Sequence, residues 1–102
     1  MYVRVMQLTA GQGTADDLLN TIGSDLAPLM WSAEGLVAYY AVKVDDTVQT
    51  IRVFVDEATL DASSLGAIGA AQSQIQLNFL LTPALTFQGE VGVAAAYGPI
   101  VA

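Results

Sequence analysis

All the positive side-chain charge of this 102-residue chain comes from three residues, Arg4, Lys43 and Arg52, set against ten Asp and Glu. All three fall in segments whose alternation reads as β-strand, and the same alternation places Arg4 and Arg52 on one face of a sheet. A guanidinium on an otherwise apolar and aromatic face has two uses. It can hold the anionic oxygen of a ligand, a carboxylate or phenolate, through its planar fork of donors. Alternatively it closes a buried ion pair at an interface, for which Glu90 is the candidate carboxylate. The ion pair is the favoured use, because an unpaired buried charge costs several kcal/mol.

Other chemistry is narrowed by what is missing. The chain has no Cys and no His. That removes disulfides, thiolate and imidazole metal ligands, a cysteine nucleophile, a Ser-His-Asp triad and a haem-ligating histidine. Catalytic residues therefore stay unknown, and no metal or cofactor is expected. Asp45-Asp46 and Asp56-Glu57 lack the spacing of a calcium loop and read as a turn and a helix start. Gly11-Gln12-Gly13 lacks the third glycine and the Lys-Ser/Thr of a phosphate loop. A net charge of −7 argues against nucleic acid and anionic membrane partners. No apolar run reaches the ~20 residues of a membrane span, and the alternating start does not resemble a secretory signal, so the cytoplasm is the expected location.

The aromatic residues are the remaining candidates. Trp31, the single tryptophan, lies between the first helix and the second strand, where it either caps a pocket or closes the end of the core. Tyr39 and Tyr40 point to opposite faces of a strand, one available to a ligand and the other to core or interface.

The elements that position these residues follow from periodicity. Residues 2–8 alternate as a first strand. Thr14 caps a helix whose apolar face runs through Leu18, Leu19, Ile22, Leu26 and Leu29, with Pro28 expected to shorten it to about residue 25. Residues 36–44 and 47–55 form a hairpin around Asp45-Asp46. Asp56 caps a helical stretch over 57–81, which Gly66 and Gly69 weaken and Thr82-Pro83 ends. Residues 84–91 form the last strand. The order βαββαβ is the ferredoxin-like α+β arrangement, a four-stranded antiparallel sheet with two helices on one face and the first and third strands central. One domain spans 1–91, and the apolar tail 92–102 is expected to pack on it or on a neighbouring subunit.

If Val3, Val5, Ile51, Val53 and Val55 face the helices, the opposite face carries Tyr2, Arg4, Met6, Leu8, Val48, Thr50, Arg52 and Phe54. A face so apolar needs a cover, and the economical one is a second copy of the chain, making a homodimer with Arg4, Arg52, Phe54 and Glu90 at the interface.

The chain resembles the dimeric α/β-barrel superfamily, in particular its small antibiotic-biosynthesis-monooxygenase-like members. The resemblance lies in Tyr2-Val3-Arg4-Val5, in Gly35-Leu36-Val37-Ala38-Tyr39-Tyr40, in Ile51-Arg52-Val53-Phe54-Val55-Asp56-Glu57-Ala58 and in Gln88-Gly89-Glu90-Val91, and covers roughly residues 1–91. It implies a homodimer with a pocket in each subunit between helices and sheet. Some members oxidise polycyclic phenols without metal or flavin, using Asn, Trp, Tyr and Arg around the substrate. Asn20, Trp31, Tyr39, Tyr40 and Arg52 supply those residue types here. Haem-degrading relatives need a histidine that this chain lacks. Two functions stand: a binder of a small aromatic or apolar molecule with cofactor-free oxygenation within reach, and a non-catalytic dimerisation module.

Overall fold

Alternation makes strands here, and the helices decide which face of those strands becomes core. The computed structural model describes residues 1–95. Strands β1 (Tyr2–Ala10), β2 (Leu36–Val44), β3 (Thr47–Phe54) and β4 (Leu81–Glu90) pair antiparallel in the order β2-β3-β1-β4. The helical segments are α1 (Ala15–Thr21), a π-helical turn (Ile22–Leu26), α2 (Ala27–Met30), α3 (Glu57–Ala62) and α4 (Gly66–Phe79). They cover one face of the sheet, giving the βαββαβ, ferredoxin-like architecture.

The two expected helix caps form. The Thr14 hydroxyl accepts from the Asp17 amide at 3.1 Å, and the Asp56 carboxylate accepts from the Thr59 amide at 2.8 Å. Pro28 does not end the first helical run as expected. Having no N–H, it cannot complete an α-helical bond to the carbonyl four residues back. The preceding turn widens instead, the Ala27 amide donating to the Ile22 carbonyl five residues back, and helix resumes to Met30. The widening has a packing benefit. Leu18, Ile22, Leu26 and Met30 are all buried and spaced by four, a spacing that drifts ~40° per step in a regular α-helix. A turn with more residues brings them back into line.

The second helical stretch breaks at its glycines, as their composition suggested. Gly66 adopts φ +63 at the start of α4, and a Cβ on Gly69 would collide with the Ser64 carbonyl. The helix ends at Phe79, sooner than expected, and Thr82 and Pro83 belong to β4. Pro83 is tolerated because β4 is an edge strand. The Gly11 and Gln12 amides donate to the carbonyls that end α4. That gives the glycine loop a structural task.

The expected facing of the sheet is corrected. In β3 the buried residues are Val48, Thr50, Arg52 and Phe54. Their register partners on β1 are Leu8, Met6, Arg4 and Tyr2. This set, and not Val3, Val5, Ile51 and Val53, lies beneath the helices: Tyr2, Val48 and Phe54 share one core with Leu18, Met30, Leu60 and Ile75. Phe54 is therefore buried core and not an interface residue. Alternation sorts side chains into two sets, but when both sets are apolar it cannot say which one the helices cover. The tail 92–102 lies outside the described residues from 96 onward, and residues 91–95 form no regular element.

Candidate functional site

Between the helices and the sheet lies a cavity of about 250 Å³. Its floor is the central strands, through Arg4, Met6 and Leu8 of β1 and Thr50 and Arg52 of β3, with Tyr39 of β2 alongside. Ile22 and Leu26 of the π-turn and Gln72 and Ile75 of α4 form its roof. The walls are largely apolar, and the polar groups are concentrated around the two arginines.

Arg4 and Arg52 are direct register partners across β1 and β3, yet their environments differ. Arg4 is paired through two of its nitrogens. Its Nη2 donates to Asp61 Oδ1 at 2.9 Å and its Nε to Gln88 Oε1 at 2.8 Å. Within the chain the partner carboxylate is thus Asp61 of α3, and Glu90 pairs with neither arginine. Glu90 stands opposite Tyr2 on the edge strand and is exposed.

Arg52 is 9% exposed and has no carboxylate within ion-pair distance among the described residues. Its Nη1 reaches the Ser63 and Ser64 hydroxyls at 3.4 and 3.3 Å, the long end of hydrogen bonding. The Gln72 amide also lies against the guanidinium, and with its oxygen assigned to face Arg52 it accepts from both Nη1 and Nη2. Burial pushes the Arg52 pKa down; nearby Tyr39 opposes this, and the neighbouring Arg4 charge adds to it. Tyr39 is the register partner of Arg52 on β2. Its hydroxyl is buried with no hydrogen-bond partner among the described residues. Burial raises the Tyr39 pKa, with Arg52 pulling the other way, so the phenol is a neutral donor at physiological pH.

The other sequence candidates are scattered. Asn20 is exposed on α1 and does not line the cavity. Trp31 follows α2 and is 86% exposed, away from the cavity lining. Tyr40 is 57% exposed on the opposite sheet face. Arg52 and Tyr39 are brought together. Asp61, Ser64 and Gln72 went unnoticed in the sequence. For Gln72 a signal existed: it falls in the 68, 72, 75, 79 stripe of α4, whose other members, Ile68, Ile75 and Phe79, pack into or against the core. A polar side chain at a core-facing position marks a polar group to be met there. Among the described residues no cluster of three acidic side chains could hold a metal ion.

No protein-family model matches the chain, and no curated protein matches it by sequence. Solved structures do. A protein of unknown function from Nitrosomonas europaea is 25% identical, with TM-score 0.76 over 96% of this chain and 95% of that one. A putative antibiotic biosynthesis monooxygenase from Deinococcus radiodurans superposes with TM-score 0.75 at 14% identity, over 97% of this chain and 100% of that one. SnoaB, a cofactor-independent oxygenase from Streptomyces nogalater, gives 0.72 at 12% identity, covering 91% and 94%. The chain has the fold of the antibiotic-biosynthesis-monooxygenase-like proteins. At these identities the likeness concerns architecture alone.

Proposed function

We propose that this protein binds a small aromatic or otherwise apolar molecule through an anionic oxygen in the cavity between helices and sheet. The observation carrying this reading is Arg52, a buried guanidinium with only neutral partners, beside the unpartnered Tyr39 hydroxyl. A buried charge without a counter-ion is costly, and a buried donor without an acceptor adds to that cost. One ligand oxygen accepting from both groups offsets both penalties, while the apolar walls take the ligand body. Calorimetric titration with aromatic carboxylates and phenols tests this. Binding that is lost in Arg52→Gln supports it, and binding that survives the substitution removes Arg52 from the site.

Oxygenation of the bound molecule extends the same reading, supported by the likeness to a cofactor-independent oxygenase. A ligand held as its oxyanion is electron-rich and is the form that gives up electrons to dioxygen. Oxygen uptake that depends on a bound phenol would establish it.

A second observation favours self-association. On the sheet face away from the helices, Tyr40, Val42, Val44 and Phe87 are all exposed. The register puts Val3, Val5, Gln7, Gln49 and Ile51 between them, so this face carries no charge although the chain carries −7. Pairing this face with a second copy covers apolar surface without opposing like charges, and a homodimer follows. The interface is thus the face opposite Arg4 and Arg52. No helix among the described residues is long and apolar enough to cross a membrane, and we place the protein in the cytoplasm.

A further inference from the structure

Taking Arg52 as the ligand anchor, as proposed above, we infer that the cavity selects a singly charged ligand of one or two aromatic rings over a dianion, a neutral molecule or a larger fused system. The charge selection comes from the unequal treatment of two neighbouring arginines. Arg4 and Arg52 face the same cavity from directly paired positions. Left free together, they would form a doubly cationic floor suited to a dicarboxylate or a phosphate. Asp61 prevents this. It reaches from α3 to Arg4 at 2.9 Å, while Gln88 takes the Arg4 Nε at 2.8 Å. Among the described residues Arg4 and Arg52 are the only charged ones lining the cavity, so with Arg4 neutralised the lining holds one net positive charge. That charge is aimed inward among Ser63, Ser64 and Gln72, all neutral.

One ligand charge satisfies Arg52. A second must either go unpaired in an apolar cavity or displace Asp61 from Arg4. A neutral ligand leaves Arg52 uncompensated, and the penalty of the empty cavity remains. Tyr39 strengthens the choice, since its orphaned hydroxyl supplies a second donor for one oxygen-bearing group and no group in the lining offers a matching second cation.

The size selection comes from volume. An apolar cavity of about 150 Å³ holds benzene. By that scale, about 250 Å³ accommodates a ring with its carboxylate or two fused rings, and a three-ring system would project past the apolar walls through the cavity's open side. Those walls include Ile22, Leu26 and Ile75, each 4% exposed or less and anchored in the core cluster, so the roof does not yield without disturbing the fold.

The test is calorimetric titration of the full chain with a graded panel. Benzoate, naphthoate and anthracenecarboxylate vary size at constant charge. Isophthalate and naphthalenedicarboxylate add a second charge, naphthamide removes the first, and naphthol offers a phenol in place of a carboxylate. Naphthoate or benzoate is expected to bind at least about tenfold tighter than anthracenecarboxylate, either dicarboxylate or naphthamide, a factor corresponding to ~1.4 kcal/mol. If naphthol binds and its absorbance shows the naphtholate, the anionic oxygen is a phenolate. If only the carboxylates bind, it is a carboxylate. Asp61→Asn should free Arg4 and narrow the gap between isophthalate and benzoate, leaving naphthoate bound. Tighter binding of anthracenecarboxylate overturns the size selection, and tighter binding of a dicarboxylate or of naphthamide by the unsubstituted chain overturns the charge selection; in both cases the ligand site itself survives. Binding of nothing in the panel removes the ligand-binding reading and this inference with it.

Discussion

If Arg52 is held for a ligand, it should be a burden on the empty protein, and Arg52→Met makes that measurable. The substitution keeps an unbranched, flexible and apolar side chain, shorter than Arg by the guanidinium end, and removes the charge. Its cost to the fold is small. The hydrogen bonds lost to Ser63 and Ser64 are long, at 3.4 and 3.3 Å, the Gln72 amide loses its guanidinium partner as well, and the Ser63 hydroxyl keeps its stronger 2.6 Å bond to the Leu60 carbonyl. Gln72 is only half-buried and can turn toward solvent. Against this stands the release of a guanidinium that is 9% exposed and faces no carboxylate among the described residues. Replacing buried charge by a well-packed apolar side chain is commonly neutral to stabilising, by ~1–3 kcal/mol. In a domain of this size 1 kcal/mol moves Tm by roughly 4–8 °C. Arg52→Met is therefore expected to melt at least about 4 °C higher in a calorimetric scan, with its affinity for naphthoate lost. Stability gained as binding disappears is the signature of a residue kept for function. A Tm lowered by the same margin, with the urea m-value unchanged, would show that Arg52 is satisfied within the fold and would refute the reasoning.

Other consequences are independent of the ligand. Phe87→Glu places a charge on the uncharged sheet face and should convert a dimer into monomers in sedimentation equilibrium; a dimer unaffected by it would put the interface elsewhere. Gly69→Ala drives a methyl group into the Ser64 carbonyl and should destabilise the domain by about 1–3 kcal/mol in urea titration, with Gly23→Ala, where nothing lies within 4 Å, as the tolerated control. Trp31→Ala removes a side chain that is 86% exposed and should leave naphthoate affinity unchanged; a loss of binding would bring Trp31 into the site. Asp56 bonds the Thr59 amide and hydroxyl, which hold its pKa below the usual carboxylate value. A lowered folded pKa contributes stability that is complete above the unfolded value, near ~3.9, and lost as pH falls through the folded one. Asp56→Asn should accordingly flatten the acid limb of the stability profile, and an unchanged limb would mean that other carboxylates set it.

The sequence by itself determined the local structure and its order. Alternation made the strands, Thr14 and Asp56 started the helices, Gly66 and Gly69 broke the second helical run, and β-α-β handedness set the first and third strands side by side. These follow from forces acting over a few residues or from chain chirality, so they can be read along the chain. Alternation also grouped Arg4 with Arg52, because a period of two is a property of the strand alone, but it left open whether Tyr39 or Tyr40 joins them. What tertiary structure decided was the side of the sheet on which that group lies. Val3, Val5, Ile51 and Val53 form an apolar set as convincing as Tyr2, Met6, Val48 and Phe54, and only the seating of the helices tells them apart. The partners of the arginines were likewise beyond local reading. Asp61 meets Arg4 from 57 residues away, and neither residue type nor spacing marks that meeting in advance. The continuation past Pro28 depended on a π-turn stabilised by packing Ile22 and Leu26 on the sheet, a contact that outweighs the local preference of proline to end a helix. The site is therefore a tertiary object: one arginine neutralised and the other left open, a difference that exists only once α3 has folded over the sheet.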